Sequence, residues 1–311
     1  MTPRIVWPEE RAFAFTIFDD PDSQTLDNGK AIYSLLRDCG FRTTKGVWPS
    51  RPARTPSDYG ITCGDSGEYV AWLRELEASG FEIGFHNATS HTSFREETLA
   101  GIEEFARYFG HYPSSMANHY FCQESVYWGD KRVTGLNRLF YNTVTRFKNR
   151  GTSHGHEKGH PYFWGDACKE KIKYVRNFAF TGLNTLKSCP AMPYHDPLRP
   201  YVNYWFASSE GSNVETFVKQ MGDKSLDALE EEGGACIMYV HFGHGFAKGG
   251  AVDPRFRAIM ERLARRRGWF APVSTVLDFL LARKPSAVIS DKDRASMERR
   301  WLAHKLRFGT A

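Results

Sequence analysis

The chain has 311 residues, of which 41% are hydrophobic and 25% are charged, a composition typical of a folded protein with a large core. Intrinsic disorder is excluded as the general state, because it requires low hydrophobicity together with high net charge. The 41 Lys and Arg residues against 36 Asp and Glu residues give a net charge of +5. Over this length, that charge is too weak to indicate a nucleic-acid partner.

The sequence also bears on the compartment. No stretch approaches the roughly 18 apolar residues of a membrane-spanning helix. The first residues show no basic segment followed by an apolar one, which is the pattern of a secretory signal. The six cysteines are scattered without a C-x-x-C pair, as is typical of reduced thiols. We therefore expect a cytoplasmic protein without a transmembrane segment.

The first third of the chain predicts alternating strands and helices. Strands are predicted at residues 12–18, 41–48 and 81–85, and helices at 28–39, 66–79 and 93–109. Ser93 and Glu96 fit a capping box at the start of the third helix. This order favours a parallel sheet or barrel with helices outside it. In such folds, chemistry takes place where the C-terminal ends of the strands meet the loops.

The rest of the chain is less regular. A helical segment from residue 124 gives way to a predicted strand near 139–143, and residues 148–165 predict a long loop rich in Gly, His and Lys. Further strands are predicted at residues 172–180, 201–207, 234–242 and 269–271, and helices at 213–232, 254–267, 272–283 and 291–308. We expect residues 1–311 to form one domain.

Three of the predicted strands end in acidic residues or histidines. These residues are Asp19 and Asp20, then His86 and His91, and finally His241 and His244. Each cluster alone also fits a solvent-exposed turn, but a parallel barrel brings all of these strand ends to one rim.

This mixture of side chains is the one that metal-assisted hydrolysis needs. Two imidazoles and one carboxylate can hold a metal ion and leave positions open for water and substrate. A second carboxylate can then act as general base, and a histidine from another strand can protonate the leaving group.

Four segments resemble polysaccharide deacetylases of the NodB-homology type, which are similar to carbohydrate esterase family 4. Residues 15–20 resemble the first family motif, and residues 80–91 resemble the second, a strand that ends in two metal-binding histidines. Residues 237–241 resemble the late strand with the catalytic histidine, and residues 269–278 the closing strand and helix. Within this group, the sequence resembles divergent members related to surface-polysaccharide biosynthesis proteins. The resemblance implies an α/β fold, a distorted (β/α) barrel of about seven parallel strands.

The resemblance also implies roles for particular residues. Asp19 would be the general base and His241 the general acid, and the metal ligands would be Asp20, His86 and His91. The implied reaction is removal of an N- or O-linked acetyl group from a carbohydrate or sugar precursor. It would use a divalent metal, with zinc as the default because histidine and carboxylate ligands suit it.

The sequence departs from the family pattern at several points. Pro21 stands where the family usually has a glycine, and the two histidines are five residues apart rather than four. Residues 110–113 lack the arginine that usually orients the base, and no aspartate partner for His241 is evident. An alternative is therefore a catalytically inactive barrel that binds a glycan or scaffolds a polysaccharide-biosynthesis complex. A third hypothesis is hydrolysis of a non-sugar amide by the same apparatus, since fold does not determine substrate.

Other histidines compete for these roles. His119 follows a predicted strand end and could line the same rim, and His244 could replace His241 as the acid. His154, His156 and His160 lie in the long loop, where the surrounding glycines and lysines favour a solvated loop or lid over a separate metal site.

Overall fold

The computed structural model describes residues 5–54 and 59–309. Seven parallel strands form a closed barrel, in which β1 pairs with both β2 and β7. The strands are β1 (Phe13–Asp20), β2 (Thr44–Val47), β3 (Glu82–Phe85), β4 (Ser115–Ala117), β5 (Tyr174–Phe180), β6 (Tyr204–Glu210) and β7 (Ala235–His241). This architecture confirms the predicted (β/α) barrel of about seven parallel strands.

Helices and three short strands surround the barrel. The strands β8 (Ala247–Lys248) and β9 (Ala251–Val252) form a hairpin, and β10 (Gly268–Trp269) pairs with the start of β1. The helices are α1 (Leu26–Asp38), α2 (Gly67–Ala78), α3 (Arg95–Phe109), α4 (Gly135–Val144), α5 (Gly165–Lys171), α6 (Thr185–Ser188), α7 (Val214–Gln220), α8 (Asp223–Glu231), α9 (Pro254–Ala264), α10 (Val273–Leu281) and α11 (Asp291–Phe308). Within the described ranges, no helix has the length and apolar character needed to cross a membrane.

Four predicted elements differ from the structure. The helical segment predicted from residue 124 begins only at Gly135, as α4. The strand predicted near residues 139–143 is part of α4, whose apolar Leu139 and Phe140 are exposed rather than buried in a sheet. The helix predicted at residues 213–232 is two helices, α7 and α8, separated by a break at residues 221–222. The capping box predicted at Ser93 and Glu96 is wrong: the N-cap of α3 is Phe94, whose side chain accepts no hydrogen bond, and Glu97 accepts a hydrogen bond from the backbone N–H of Phe94 at 2.7 Å.

The barrel interior determines which side chains of β1 reach the site. Successive residues of a strand point to opposite faces, so one of two adjacent residues faces the lumen and the other faces the helices. Phe18 faces the lumen, where a Cβ atom on Gly46 or Gly84 would come within 3.1 Å of its ring. Asp20, two residues further along, faces the lumen as well, and Asp19 faces the surrounding helices.

Candidate metal centre and active site

Asp22, His86 and His119 converge at the C-terminal end of the barrel. Their ligand atoms lie within 4.8 Å of one another, and theirs is the only such group of three in residues 5–54 and 59–309. Asp22 Oδ1 is 3.2 Å from His119 Nε2, and Asp22 Oδ2 is 3.6 Å from His86 Nε2. Bonds of about 2.0–2.1 Å to a tetrahedral ion would place ligand atoms about 3.3 Å apart. The observed spacing is therefore close to that of a metal site.

The environment of these groups also fits a divalent ion. Asp22 Oδ2 and His86 Nδ1 are buried without a hydrogen-bond partner. Burial lowers the pKa of His86 to about 3, although Asp20 and Asp22 act in the opposite direction. Burial alone would raise the pKa of Asp22, but the hydrogen bond with His119 and the nearby histidine charges lower it overall. A neutral imidazole and an ionised carboxylate are the forms that bind metal.

Asn87 connects the loops that carry the two histidines. His86 and Asn87 directly follow β3, and Asn87 has a φ of 61°, a left-handed conformation that asparagine tolerates. Its Oδ1 accepts a hydrogen bond from the backbone N–H of His119 at 3.3 Å, and its Nδ2 donates to Glu124 at 2.9 Å. Burial raises the pKa of Glu124 to about 7. This network holds the loop after β3 against the loop after β4.

Asp20 forms a buried ion pair with Arg176. Its two carboxylate oxygens accept hydrogen bonds from Arg176 Nη1 at 3.0 Å and Nη2 at 2.5 Å. The side chains are only 2% and 7% exposed. Burial alone would lower the pKa of Arg176, but Asp20 raises it overall. An arginine thus reaches the aspartate from β5, although residues 110–113 contain none.

Asp19, the predicted base, lies in a closed network outside the lumen. It is fully buried and interacts with Lys45 Nζ at 3.1 Å, the Tyr33 hydroxyl at 3.1 Å and the backbone N–H of Phe242 at 2.9 Å. Burial raises the pKa of Asp19, although Lys45 acts against this. The strand β1 continues to Asp20, so the two aspartates point in opposite directions and only Asp20 lines the cavity described below.

His91, a predicted metal ligand, does not join the group of three. It lines a separate cavity of about 470 Å³, and its ring lies 5.1 Å from that of Tyr59. A turn carries it away from His86, and the Thr89 hydroxyl accepts a hydrogen bond from the His91 N–H at 3.1 Å. The predicted set of Asp20, His86 and His91 is therefore not brought together. Of its members, only His86 belongs to the observed group.

His241, the predicted acid, lies at the end of β7, in register with Asp20 on β1. Its Nε2 is 3.6 Å from Asp22 Oδ2 and 3.0 Å from the Tyr239 hydroxyl. Its Nδ1–H donates to the Ser212 carbonyl oxygen at 2.9 Å, so a backbone carbonyl, and not an aspartate, orients the ring. The His244 ring lies 4.6 Å from that of His241, but His244 does not line the cavity.

The loop histidines make local contacts instead. His154 Nδ1 lies 2.8 Å from Glu157, and His156 Nδ1 accepts a hydrogen bond from the Tyr127 N–H at 3.1 Å. Neither they nor His160 belong to a metal-binding group in the part of the chain that the structure describes.

A cavity of about 380 Å³ unites the functional groups at this end of the barrel. Its polar lining includes Asp20, Asp22, His86, His119, Arg176 and His241, and its aromatic lining Tyr120, Phe121, Trp128, Tyr141 and Tyr239. Sequence reasoning assigned no role to Asp22 or Arg176. Two signals point to them: Asp22 lies two residues after Asp20, and Arg176 is a charged residue within an apolar strand.

Comparisons with known proteins bear on the fold. Neither a protein-family model nor a curated protein sequence matches the chain. A Mycobacterium smegmatis structure described as a polysaccharide deacetylase is similar, with a TM-score of 0.53, 12% identity and coverage of 93% of this chain and 97% of the other. The PuuE allantoinase has a TM-score of 0.53, 12% identity and coverage of 92% and 95%. A Pseudomonas aeruginosa structure, also described as a polysaccharide deacetylase, has a TM-score of 0.51, 13% identity and coverage of 91% and 95%.

The fold of this chain is thus that of the NodB-type polysaccharide deacetylase barrel. The resemblance predicted from the sequence motifs is confirmed at the level of the fold.

Proposed function

We propose that the protein is a metal-dependent hydrolase that removes an N- or O-linked acetyl group from a carbohydrate or sugar precursor. One observation carries this proposal: three convergent ligand groups, an arginine-paired carboxylate and a histidine all line the same cavity. The fold of the polysaccharide deacetylases supports the substrate class. Zinc is the proposed ion, although iron, cobalt and nickel accept the same donor set.

The metal ligands in this proposal are Asp22, His86 and His119. A divalent ion bound there would supply Lewis-acid polarisation of the acyl carbonyl and a lower pKa for water. Three protein ligands leave room for water and substrate, as hydrolysis requires.

Asp20 replaces Asp19 as the proposed general base. It lines the cavity, and Arg176 holds both of its oxygens in place. Each carboxylate oxygen retains a second lone pair, which can accept a proton from water. His241 remains the proposed general acid. The Ser212 carbonyl orients the ring through Nδ1–H, and Nε2, which contacts the Tyr239 hydroxyl, is the atom that would deliver a proton to the leaving group.

Two aromatic residues at the cavity suit a sugar ring. Tyr120 and Phe121 line the cavity and are 55% and 73% exposed. The apolar face of a pyranose can pack on such rings, as other apolar surfaces do.

We keep a cytoplasmic location as part of the proposal. All six cysteines are free thiols, and five of them are buried. Free thiols of this kind are typical of proteins in a reducing compartment.

Hydrolysis of a non-sugar amide is a second candidate. The PuuE allantoinase shares the fold at a TM-score of 0.53, so a neighbour with a different named activity uses the same barrel.

The test combines metal analysis with a substrate panel. Purified protein is loaded with zinc, and acetate release is measured from N-acetylated and O-acetylated sugars. Allantoin is the non-sugar substrate, and hydrolytic opening of its ring is measured separately. We expect about one equivalent of metal per chain and acetate release from a sugar. Asp20→Asn should keep the metal and lose turnover, whereas the control His91→Ala should keep both.

Each other outcome has a defined meaning. Less than about one tenth of an equivalent of metal after loading would overturn the site. Turnover of allantoin alone would favour the second candidate. Metal and sugar binding without any turnover would favour the catalytically inactive glycan-binding barrel.

A further inference from the structure

The cavity contains a second functional element, centred on Arg132. This residue ends the 3-10 turn Gly129–Arg132 and is only 3% exposed. Its guanidinium lies 4.0 Å from the ring centroid of Trp128 and 4.4 Å from that of Trp301. Contacts with two indole rings hold the guanidinium in one orientation.

Arg132 lacks the partner that a buried arginine normally has. Its Nε and Nη1 atoms are buried without a hydrogen-bond acceptor, and no carboxylate within the described residues forms an ion pair with it. The Tyr141 phenol is its hydrogen-bonding neighbour, and Arg176 adds repulsion between like charges. By contrast, the buried Arg199 pairs with Asp196 and Glu298. A buried cation with unsatisfied donors is costly, which points to a missing anionic partner.

A second cation lines the same cavity. Lys305 on α11 is half-buried there. Burial is the main cause that lowers its pKa to about 8, and the charge of Arg132 acts in the same direction, whereas Glu210 opposes it. The two acidic residues of the cavity lining are Asp20, which is paired with Arg176, and Asp22, which belongs to the metal group. Neither acidic residue of the cavity lining is therefore paired with Arg132, and Lys305, on which Glu210 also acts, is a second cation near it.

We propose that the substrate carries an anionic group, a carboxylate or a phosphate, which Arg132 binds through its unsatisfied donors with Lys305 as a second positive charge. This inference rests on the proposed function and narrows its substrate class to acidic sugars. The metal group would face the acyl substituent, and the region around Arg132 and Lys305 would hold the anionic group of the same molecule. Arginine suits either anion because its N–H groups match the geometry of carboxylate and phosphate oxygens.

The experiment compares matched acetylated sugars. The probes are N-acetylglucosamine, the derivative with a carboxylate at C6, the 6-phosphate and the 1-phosphate. Since hydrogen bonds to charged groups are the strong ones, we expect kcat/KM for at least one acidic probe to exceed that of the neutral sugar by roughly 10- to 100-fold. Which acidic probe is preferred decides between carboxylate and phosphate.

Variants test whether Arg132 causes this preference. Arg132→Gln should reduce the preference to within about twofold, and Lys305→Gln should reduce it partly. Both variants should lower kcat/KM more for the acidic probes than for the neutral sugar, since the residues bind the anionic group in this proposal. Arg299→Gln, which removes an exposed arginine from the same helix α11, is the matched control and should change nothing.

Two further measurements keep the result decisive. Arg132→Lys preserves the charge but not the planar donor set. Thermal unfolding of Arg132→Lys and Arg132→Gln reports any loss of folding. Calorimetric titration of each probe measures binding without turnover.

If no probe is hydrolysed but an acidic sugar binds more tightly through Arg132, the proposed hydrolase fails and this inference stands. If the neutral sugar is bound and hydrolysed as well as every acidic probe, this inference is overturned and the hydrolase stands.

Discussion

Replacing Arg176 by methionine should destabilise the protein strongly. Asp20 would remain in the barrel lumen at 2% exposure, with both oxygens deprived of their donors. Breaking a buried ion pair by removing one partner costs about 3–5 kcal/mol, because the other charge is left uncompensated. We expect Arg176→Met to lower the free energy of unfolding by an amount in that range.

The double variant Asp20→Asn/Arg176→Met should recover much of this loss. Neither charge is then left unpaired in the lumen, and methionine retains part of the apolar volume of arginine. The two changes should therefore be strongly non-additive in a double-mutant cycle. The control is Arg255→Met, which breaks an exposed pair with Glu215, where the side chains are 46% and 72% exposed. It should cost less than about 1 kcal/mol.

Urea unfolding of metal-free protein, followed by tryptophan fluorescence, measures these free energies. The reasoning is refuted if Arg176→Met costs less than about 1 kcal/mol, the range of an exposed pair. It is equally refuted if the effects of the two changes simply add in the double variant, because the charges would then not depend on each other.

Three further predictions concern the site. Asp22→Asn should weaken zinc binding, measured by calorimetry, by at least about tenfold, while His91→Ala should leave zinc binding unchanged. Equal losses of zinc affinity in both variants would return His91 to the ligand set. His241→Ala should keep the metal and lower amide turnover by roughly 10²–10⁴-fold, with a smaller loss on an activated ester; equal losses on both would move the acid role, with His244 the first candidate. The pKa of His86 is lowered from 6.5 to about 3, so the unfolded chain binds the extra proton between these values. The contribution of neutral His86 to the free energy of unfolding is therefore complete above pH 6.5. It decreases as the pH falls towards 3, with a slope of at most about 1.4 kcal/mol per pH unit. Urea unfolding of metal-free protein between pH 7 and pH 4 should show this decrease in wild type and a smaller decrease in His86→Gln. Identical pH profiles for the two proteins would contradict the lowered pKa of His86.

Much of the architecture was predictable from local sequence. The apolar run that forms β1 ends in aspartates, and glycines mark the ends of helices such as α3, where Gly110 adopts a φ of 80°. Alternating elements of this kind are typical of a parallel barrel, and the structure confirms it. The failure at α4 has a physical cause: Leu139 and Phe140 form an apolar run, but they are exposed on a helix instead of being buried in a strand.

The sequence by itself predicted that polar residues, including His86 and His241, stand at the ends of strands, and the structure places these two beside the same cavity. It did not determine which neighbouring side chains face the lumen, because an error of two residues in the end of β1 hides the alternation that separates Asp19 from Asp20. Only the tertiary structure brings Arg176 to Asp20, across 156 residues of chain, through closure of the barrel. It likewise decides that His119, and not His91, joins His86. Loop direction after a strand depends on contacts such as that of Asn87 with the backbone of His119, which no local pattern specifies.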